Sequence, residues 1–229
     1  MHKPPGLLAA SWAIARKDLA IEMRTRSAFL SVIVFTLLGL VIFFFAWDAS
    51  AVSSVDLAPG VLWVTFTFAG LLGLHRSFGA EVADRAIDGL LLAPIDREAI
   101  YIGKALANFI FVGAVLVVAL PALTIFYNLP IARTIVALAP VAILAAFGLV
   151  AVGTLFSAMA VNTRMAELLL PMLSLPFFVP IVLPSAQASA QLLAGRPLDV
   201  AMPWLKLLLA FDIVFAVACA VAYPHTLEE

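Results

Sequence analysis

Six long apolar runs dominate this sequence, and no charged side chain interrupts the first five of them. A helix needs roughly 20 apolar residues to cross about 30 Å of hydrocarbon, because lipid offers no hydrogen-bond partners to an open backbone. The runs therefore predict an all-α polytopic membrane protein with six transmembrane helices. They cover residues 27–47, 57–74, 105–127, 134–161, 168–184 and 201–223.

The composition excludes two other classes of protein. The 229 residues are 65% hydrophobic and 12% charged, whereas soluble domains are about 25% charged. The 13 Lys and Arg residues against 14 Asp and Glu residues give a net charge of -1. This balance leaves no broad basic surface for a nucleic-acid backbone. The chain is therefore predicted to be neither an ordinary soluble enzyme nor a nucleic-acid-binding protein.

The positions of the basic residues predict the orientation. Short loops that are rich in Lys and Arg stay in the cytoplasm. With six spans, both termini lie on one side of the membrane, and that side receives all but three of the 13 basic residues, the exceptions being Arg133, Arg196 and Lys206. We therefore expect a multi-pass protein of the bacterial inner membrane, surrounded by lipid, with cytoplasmic N- and C-termini.

The six predicted spans divide the chain into three segments. Residues 1–26 form an N-terminal segment with apolar residues at helical spacing between charged ones, which predicts an amphipathic helix at the membrane interface. Residues 27–223 form the six-span domain, and 224–229 form a C-terminal tail. The predicted apolar stripe of the first segment is Leu8, Trp12, Ala15, Leu19 and Met23.

The longest polar stretch, residues 75–104, predicts a helical hairpin in the cytoplasm. Glu81, Asp84 and Asp88 recur every three or four residues and share one helical face. Gly89 weakens that helix, and Pro94 marks its end before a second short helix that leads to the third span. The carboxylates could bind a partner, or they could form a solvated face without a function.

Two motifs in this hairpin carry a resemblance to a known family. Asp88 to Ile95 reads D-G-x-L-x-x-P-I, and Ile100 to Lys104 reads I-x-x-G-K. The segment resembles the coupling segment of ABC-2-type export permeases. The A-P-G-x-x-W element that ends at Trp63 and the proline-interrupted run 168–184 make the chain most similar to the membrane B subunit of the cytochrome c maturation system, a heme exporter subunit.

This resemblance implies a permease subunit that couples ATP hydrolysis by a partner to heme export or to release of a heme chaperone. The chain lacks G-x-x-x-x-G-K-[ST], so a cytoplasmic ATPase subunit is expected to bind the ATP. Other cytochrome c maturation membrane subunits, the heme chaperone and a second copy of the chain are the remaining expected partners. The residues assigned to coupling with the ATPase are Glu81, Asp84, Asp88, Gly89, Leu92, Pro94 and Lys104.

Heme needs an axial ligand, commonly His. The three histidines, His2, His75 and His225, all fall on the predicted cytoplasmic side. We therefore expect no cofactor bound directly by this chain, and the resemblance assigns heme handling to the complex. An ABC-2 permease for a lipid, polysaccharide or drug and a scaffold that transports nothing remain the alternatives.

Four residues within the spans are candidates for a transport path or a partner contact: Asp212, Trp63, Pro176 and Pro180. A buried acid in a span is costly and often functional, although polar neighbours could equally satisfy Asp212. Single tryptophans near span ends also fit an aromatic belt. The prolines predict a kinked or broken fifth span, followed by a main external segment at 185–203 with a short re-entrant helix.

Overall fold

The computed structural model describes residues 6–83, 95–161 and 166–226, and those residues form seven α-helices. The predicted all-α class is confirmed. The helices are α1 (Leu7–Thr25), α2 (Ser27–Ala46), α3 (Ser54–Ala83), α4 (Arg97–Phe126), α5 (Ile131–Val161), α6 (Ala166–Leu193) and α7 (Leu198–Thr226).

Helices α2 to α7 each contain a segment long and apolar enough to cross a membrane, which confirms six spans in the described residues. Several begin earlier than the sequence predicted. The span in α3 begins at Ser54, and the one in α4 begins at Arg97. Polar residues are tolerated in the first turn of a helix, because the amides there have no intrahelical partner to lose. The apolar runs therefore mark the centres of the spans better than their ends.

The expected external segment at 185–203 is wrong. Helix α6 is unbroken from Ala166 to Leu193, and only residues 194–197 separate it from α7. The stretch 185–193 is rich in Ala, Gln and Leu, which favour helix. Its serines are accommodated inside the bundle, where Ser185 donates a hydrogen bond to the carbonyl of Ile181 at 2.7 Å.

Helix α5 lies at the centre of the bundle and packs against α3, α4, α6 and α7. Helix α2 contacts α3 and α4 and leaves most of its apolar surface exposed, as expected of a span that faces lipid. The bundle has two ends. The loop end consists of the connections 47–53, 127–130 and 194–197, and the α1 end carries α1 and the connections from α3 to α4 and from α5 to α6.

Helix α1 joins α2 through a sharp turn at Arg26, whose φ is 57°. The carboxylate of Glu22 in α1 accepts a hydrogen bond at 2.7 Å from the backbone amide of Phe29. This bond satisfies one of the free amides at the start of α2. Helix α1 then packs along α4, which places the N-terminal segment beside the helix that follows the predicted hairpin.

Candidate functional site

The structure describes only the beginning and the end of the segment 75–104 that was predicted to form a hairpin. Helix α3 continues past the end of its span at Leu74 as far as Ala83, so Glu81 lies in its last turns. The side chain of Glu81 and the whole of Asp84, Asp88, Gly89, Leu92 and Pro94 lie outside the described residues. The expected second short helix is wrong, because residues 97–104 are the first two turns of α4 itself. The polar residues 97–104 and the apolar span that follows them therefore form one continuous helix.

Lys104, the last residue of the I-x-x-G-K motif, is buried beneath α1. Its side chain is 2% exposed, and its Nζ lies 3.6 Å from Oδ2 of Asp18. Asp18 also lies 3.1 Å from Nζ of Lys17. In this structure Lys104 therefore contacts α1 rather than solvent, and its assignment to ATPase coupling stays a prediction that would act through α1.

Gly103 explains how α1 approaches α4 so closely. A Cβ atom at this position would lie 2.7 Å from the backbone oxygen of Ser11 and 2.8 Å from Cβ of Ile14. Only glycine fits such a contact without a shift of one helix. The I-x-x-G-K motif is thus the contact site for α1. Gly103 allows the two helices to approach closely, and Lys104 forms an ion pair with Asp18.

The buried face of α1 differs from the predicted stripe. It consists of Ala10, Ser11, Ile14 and Ala15, with Asp18 one turn further along. Leu8, Trp12 and Met23 are exposed, so three of the five predicted stripe residues form an outer apolar surface. The helix is confirmed and the predicted stripe is wrong, whereas the position of α1 at the membrane interface stays a prediction.

Tyr101 joins three helices at the α1 end. Its hydroxyl donates a hydrogen bond at 3.0 Å to the backbone oxygen of Ala151 in α5. Its ring lies 5.1 Å from that of Tyr223 in α7. Two turns later in α4, Asn108 Nδ2 donates to Thr154 Oγ1 at 3.1 Å. The first turns of α4 are therefore fixed to α1, α5 and α7 at once.

Trp63 is a core residue rather than part of an aromatic belt. Its side chain is 1% exposed, and its Nε1 donates a hydrogen bond at 2.9 Å to Oγ of Ser189. The Phe66 ring packs edge-on against it at 5.7 Å. This contact joins α3 to α6. The belt interpretation is wrong for Trp63 because a buried hydroxyl partner lets the indole lie inside the bundle.

Of the two proline candidates, only Pro176 lies on the outer side of α6. Pro176 is exposed and Pro180 is half-buried, whereas Phe178 and Ile181 point into the core. In this structure, Pro176 therefore faces away from the bundle interior. A role for these prolines in a transport path stays a prediction.

Asp212 lies near the middle of the α7 span and is 1% exposed. It belongs to a buried stripe of α7 with Ala201, Leu208, Cys219 and Tyr223, at alternating spacings of seven and four residues. A Cβ at Gly148 of α5 would overlap its Oδ1. Neither carboxylate oxygen has a hydrogen-bond partner among the described residues.

Sequence reasoning missed Asp18, Gly103 and Gly148 as members of these sites. Asp18 follows Ser11, Ile14 and Ala15 at helical spacing, and that pattern could have identified it as a residue on the buried face. Gly148 carried a weaker signal. Small residues beside it in α5 permit close helix packing, but no pattern indicates that an acid of α7 fills the space.

Comparison with known proteins places these features in a family. The profile of the family described as CcmB protein matches residues 9–229. Heme exporter protein B of Rhodobacter capsulatus is 30% identical over 212 residues, which cover 91% of this chain and 97% of that protein. Heme exporter protein B of Bradyrhizobium diazoefficiens is 29% identical over 225 residues, which cover 96% of this chain and 100% of that protein.

Proposed function

The chain belongs to the CcmB protein family, and from this premise we propose that it is the permease subunit of a complex that exports heme for cytochrome c maturation. It is a multi-pass inner-membrane component of the heme export system. The observation that carries this assignment is the similarity to heme exporter protein B over nearly the whole chain, including all six spans.

The finer proposal is that a partner ATPase docks at the α1 end, on the cytoplasmic side. The loop-end connections 47–53, 127–130 and 194–197 are short and offer little surface. The α1 end carries α1, the extension of α3 beyond Leu74 and the basic residues that favour the cytoplasm. Both termini are then cytoplasmic, and the segment between α3 and α4 meets the ATPase.

Helix α4 provides the route by which ATPase motion would reach the spans. It begins at Arg97, within the segment 75–104 predicted as the hairpin, and its first turns contact α1 through Gly103 and Lys104. Tyr101 in the same turns contacts α5 and α7. A displacement of the hairpin would therefore move α1, α5 and α7 together, and this movement would drive heme export or release of a heme chaperone.

The double substitution Glu81→Lys with Asp84→Lys is expected to weaken ATPase binding about tenfold, a change equivalent to roughly 1.4 kcal/mol. Reversed charges at the rim of an interface repel the partner's complementary surface, while membrane insertion depends on the apolar spans. Co-purification of the ATPase subunit with the membrane chain measures the effect.

The matched control is Asp56→Lys with Asp199→Lys. These two exposed acids lie at the start of α3 and of α7, at the loop end. The control is expected to retain the ATPase. Equal co-purification with the hairpin variant and the control would contradict docking at the hairpin, and unchanged ATPase turnover with and without the membrane chain would favour a scaffold.

A further inference from the structure

The junction of α5, α6 and α7 holds a carboxyl group that the export mechanism above does not use. Oδ1 of Asp212 occupies the space that a side chain at Gly148 would need, and Ile181 of α6 lies 3.1 Å from the same point. The group is therefore enclosed by three helices near the middle of the membrane. Both oxygens lack a hydrogen-bond partner in the part of the chain that the structure describes.

Cationic partners for Asp212 lie far away on every helix that packs against α7. Within the described spans, α5 carries Arg133 near its loop end, α6 carries no titratable group over 172–193, and α4 carries its titratable groups in its first turns. On α7 itself, Lys206 is exposed on another face, and Cys219 and Tyr223 follow two and three turns later. The titratable groups of α4 are Arg97, Glu98, Tyr101 and Lys104.

An ionised carboxylate in such a place would be expensive. Burial in a low-dielectric interior removes its hydration, and an ion pair or several donors must replace the lost water. The surrounding lipid adds to this cost near the middle of the membrane. A carboxyl group that lacks these partners avoids the cost by binding a proton, which makes it neutral.

We propose that Asp212 is a proton-binding site at the junction of α5, α6 and α7, and that it is protonated at neutral pH while the three helices are packed together. Separation of the helices would admit water and release the proton. Proton release and opening of the junction are then linked, and each favours the other. This linkage would hold whichever molecule the complex moves.

Infrared spectroscopy of the protein reconstituted in lipid, with ¹³C-labelled aspartate, tests the proposal directly. We expect a carbonyl band of a protonated carboxylic acid at neutral pH, which shifts with the label and disappears in Asp212→Asn. Asp199→Asn, which changes an exposed acid of the same helix, should keep the band. A wild-type spectrum without this band, or a band that survives Asp212→Asn, would overturn the proposal.

The pH dependence of thermal unfolding gives an independent readout. The ordinary pKa of an aspartate is about 4, so above that pH the unfolded chain has lost this proton while the folded protein still holds it. The Tm of the wild type should therefore fall as the pH rises from about 4 to at least neutral pH. The Asp212→Asn protein should lack this part of the fall. Identical pH profiles would overturn the proposal. If Asp212→Asn does not insert, Asp212→Glu should move the infrared band, and an unmoved band would also overturn it.

Discussion

Replacement of Gly103 by Val should detach α1 from α4 and destabilise the protein by about 3 kcal/mol, near the upper end of overpacking costs. The first added carbon already lies 2.7 Å from the backbone oxygen of Ser11. A backbone atom in a helix cannot turn aside as a flexible side chain can, so one of the two helices must move. We expect the export function to fall with this displacement, because α1 is one of the three elements that the first turns of α4 connect.

Gly113→Val is the matched control on the same helix. A Cβ at Gly113 meets nothing within 4 Å, so this substitution should cost little. Thermal unfolding in detergent measures stability, and the rate of tryptic cleavage after Arg16 in α1 measures docking of that helix. Equal stability and equal cleavage in the two variants would contradict the role of Gly103 in the packing of α1 against α4.

Asp18→Lys should be comparably harmful, with a cost of about 3–5 kcal/mol, because it turns a buried ion pair into a repulsive pair. Lys104 is 2% exposed and Asp18 is 12% exposed, so water screens the repulsion poorly. The exchange of both residues, Asp18→Lys with Lys104→Asp, should recover much of the lost stability. That recovery would show that the two side chains interact directly.

Lys17→Ala provides the comparison for this second prediction. Lys17 lies 3.1 Å from the same carboxylate but is 37% exposed, and exposed ion pairs contribute about 0–1 kcal/mol. Unfolding measured for all four proteins separates the buried contact from the exposed one. Failure of the exchanged pair to recover any stability would contradict a direct contact between Asp18 and Lys104.

The apolar runs predicted the number of spans correctly because the length needed to cross hydrocarbon is a strict physical constraint. The ends of the helices were less predictable. Residues 185–193 are polar enough to suggest a loop, but the bundle buries Ser185 and Ser189, and Ser189 accepts the hydrogen bond of Trp63. Tertiary contacts of this kind outweigh local polarity, and one sequence does not reveal them.

In the predicted site, too, the sequence indicates unusual residues but not the contacts that they make. Asp212 was identifiable as an unusual acid from its position in an apolar run. Its contact with Gly148 was not, since it joins two helices whose relative rotation the pattern leaves open. The ion pair between Lys104 and Asp18 was equally unpredictable, because it also joins two helices whose relative position the sequence does not give. A motif that resembles a coupling segment gives the residue types, whereas the structure shows that two of them, Gly103 and Lys104, contact α1.

Helix α4 connects the α1 end of the bundle to the spans. It leads from the predicted hairpin into the bundle, and its first turns contact α1, α5 and α7. In the proposed mechanism, a movement of the segment between α3 and α4 would reach the spans through these contacts. The position of Asp212 on α7 and Gly148 on α5 adds a protonation equilibrium to two helices that this movement would reach.

Covalently bound heme in c-type cytochromes tests the proposed role of this chain in heme export for cytochrome c maturation. Deletion of the gene should abolish that heme, the wild-type chain should restore it, and the chain with Glu81→Lys and Asp84→Lys should restore it poorly. Normal amounts of covalent heme in c-type cytochromes of the deletion strain would contradict this role.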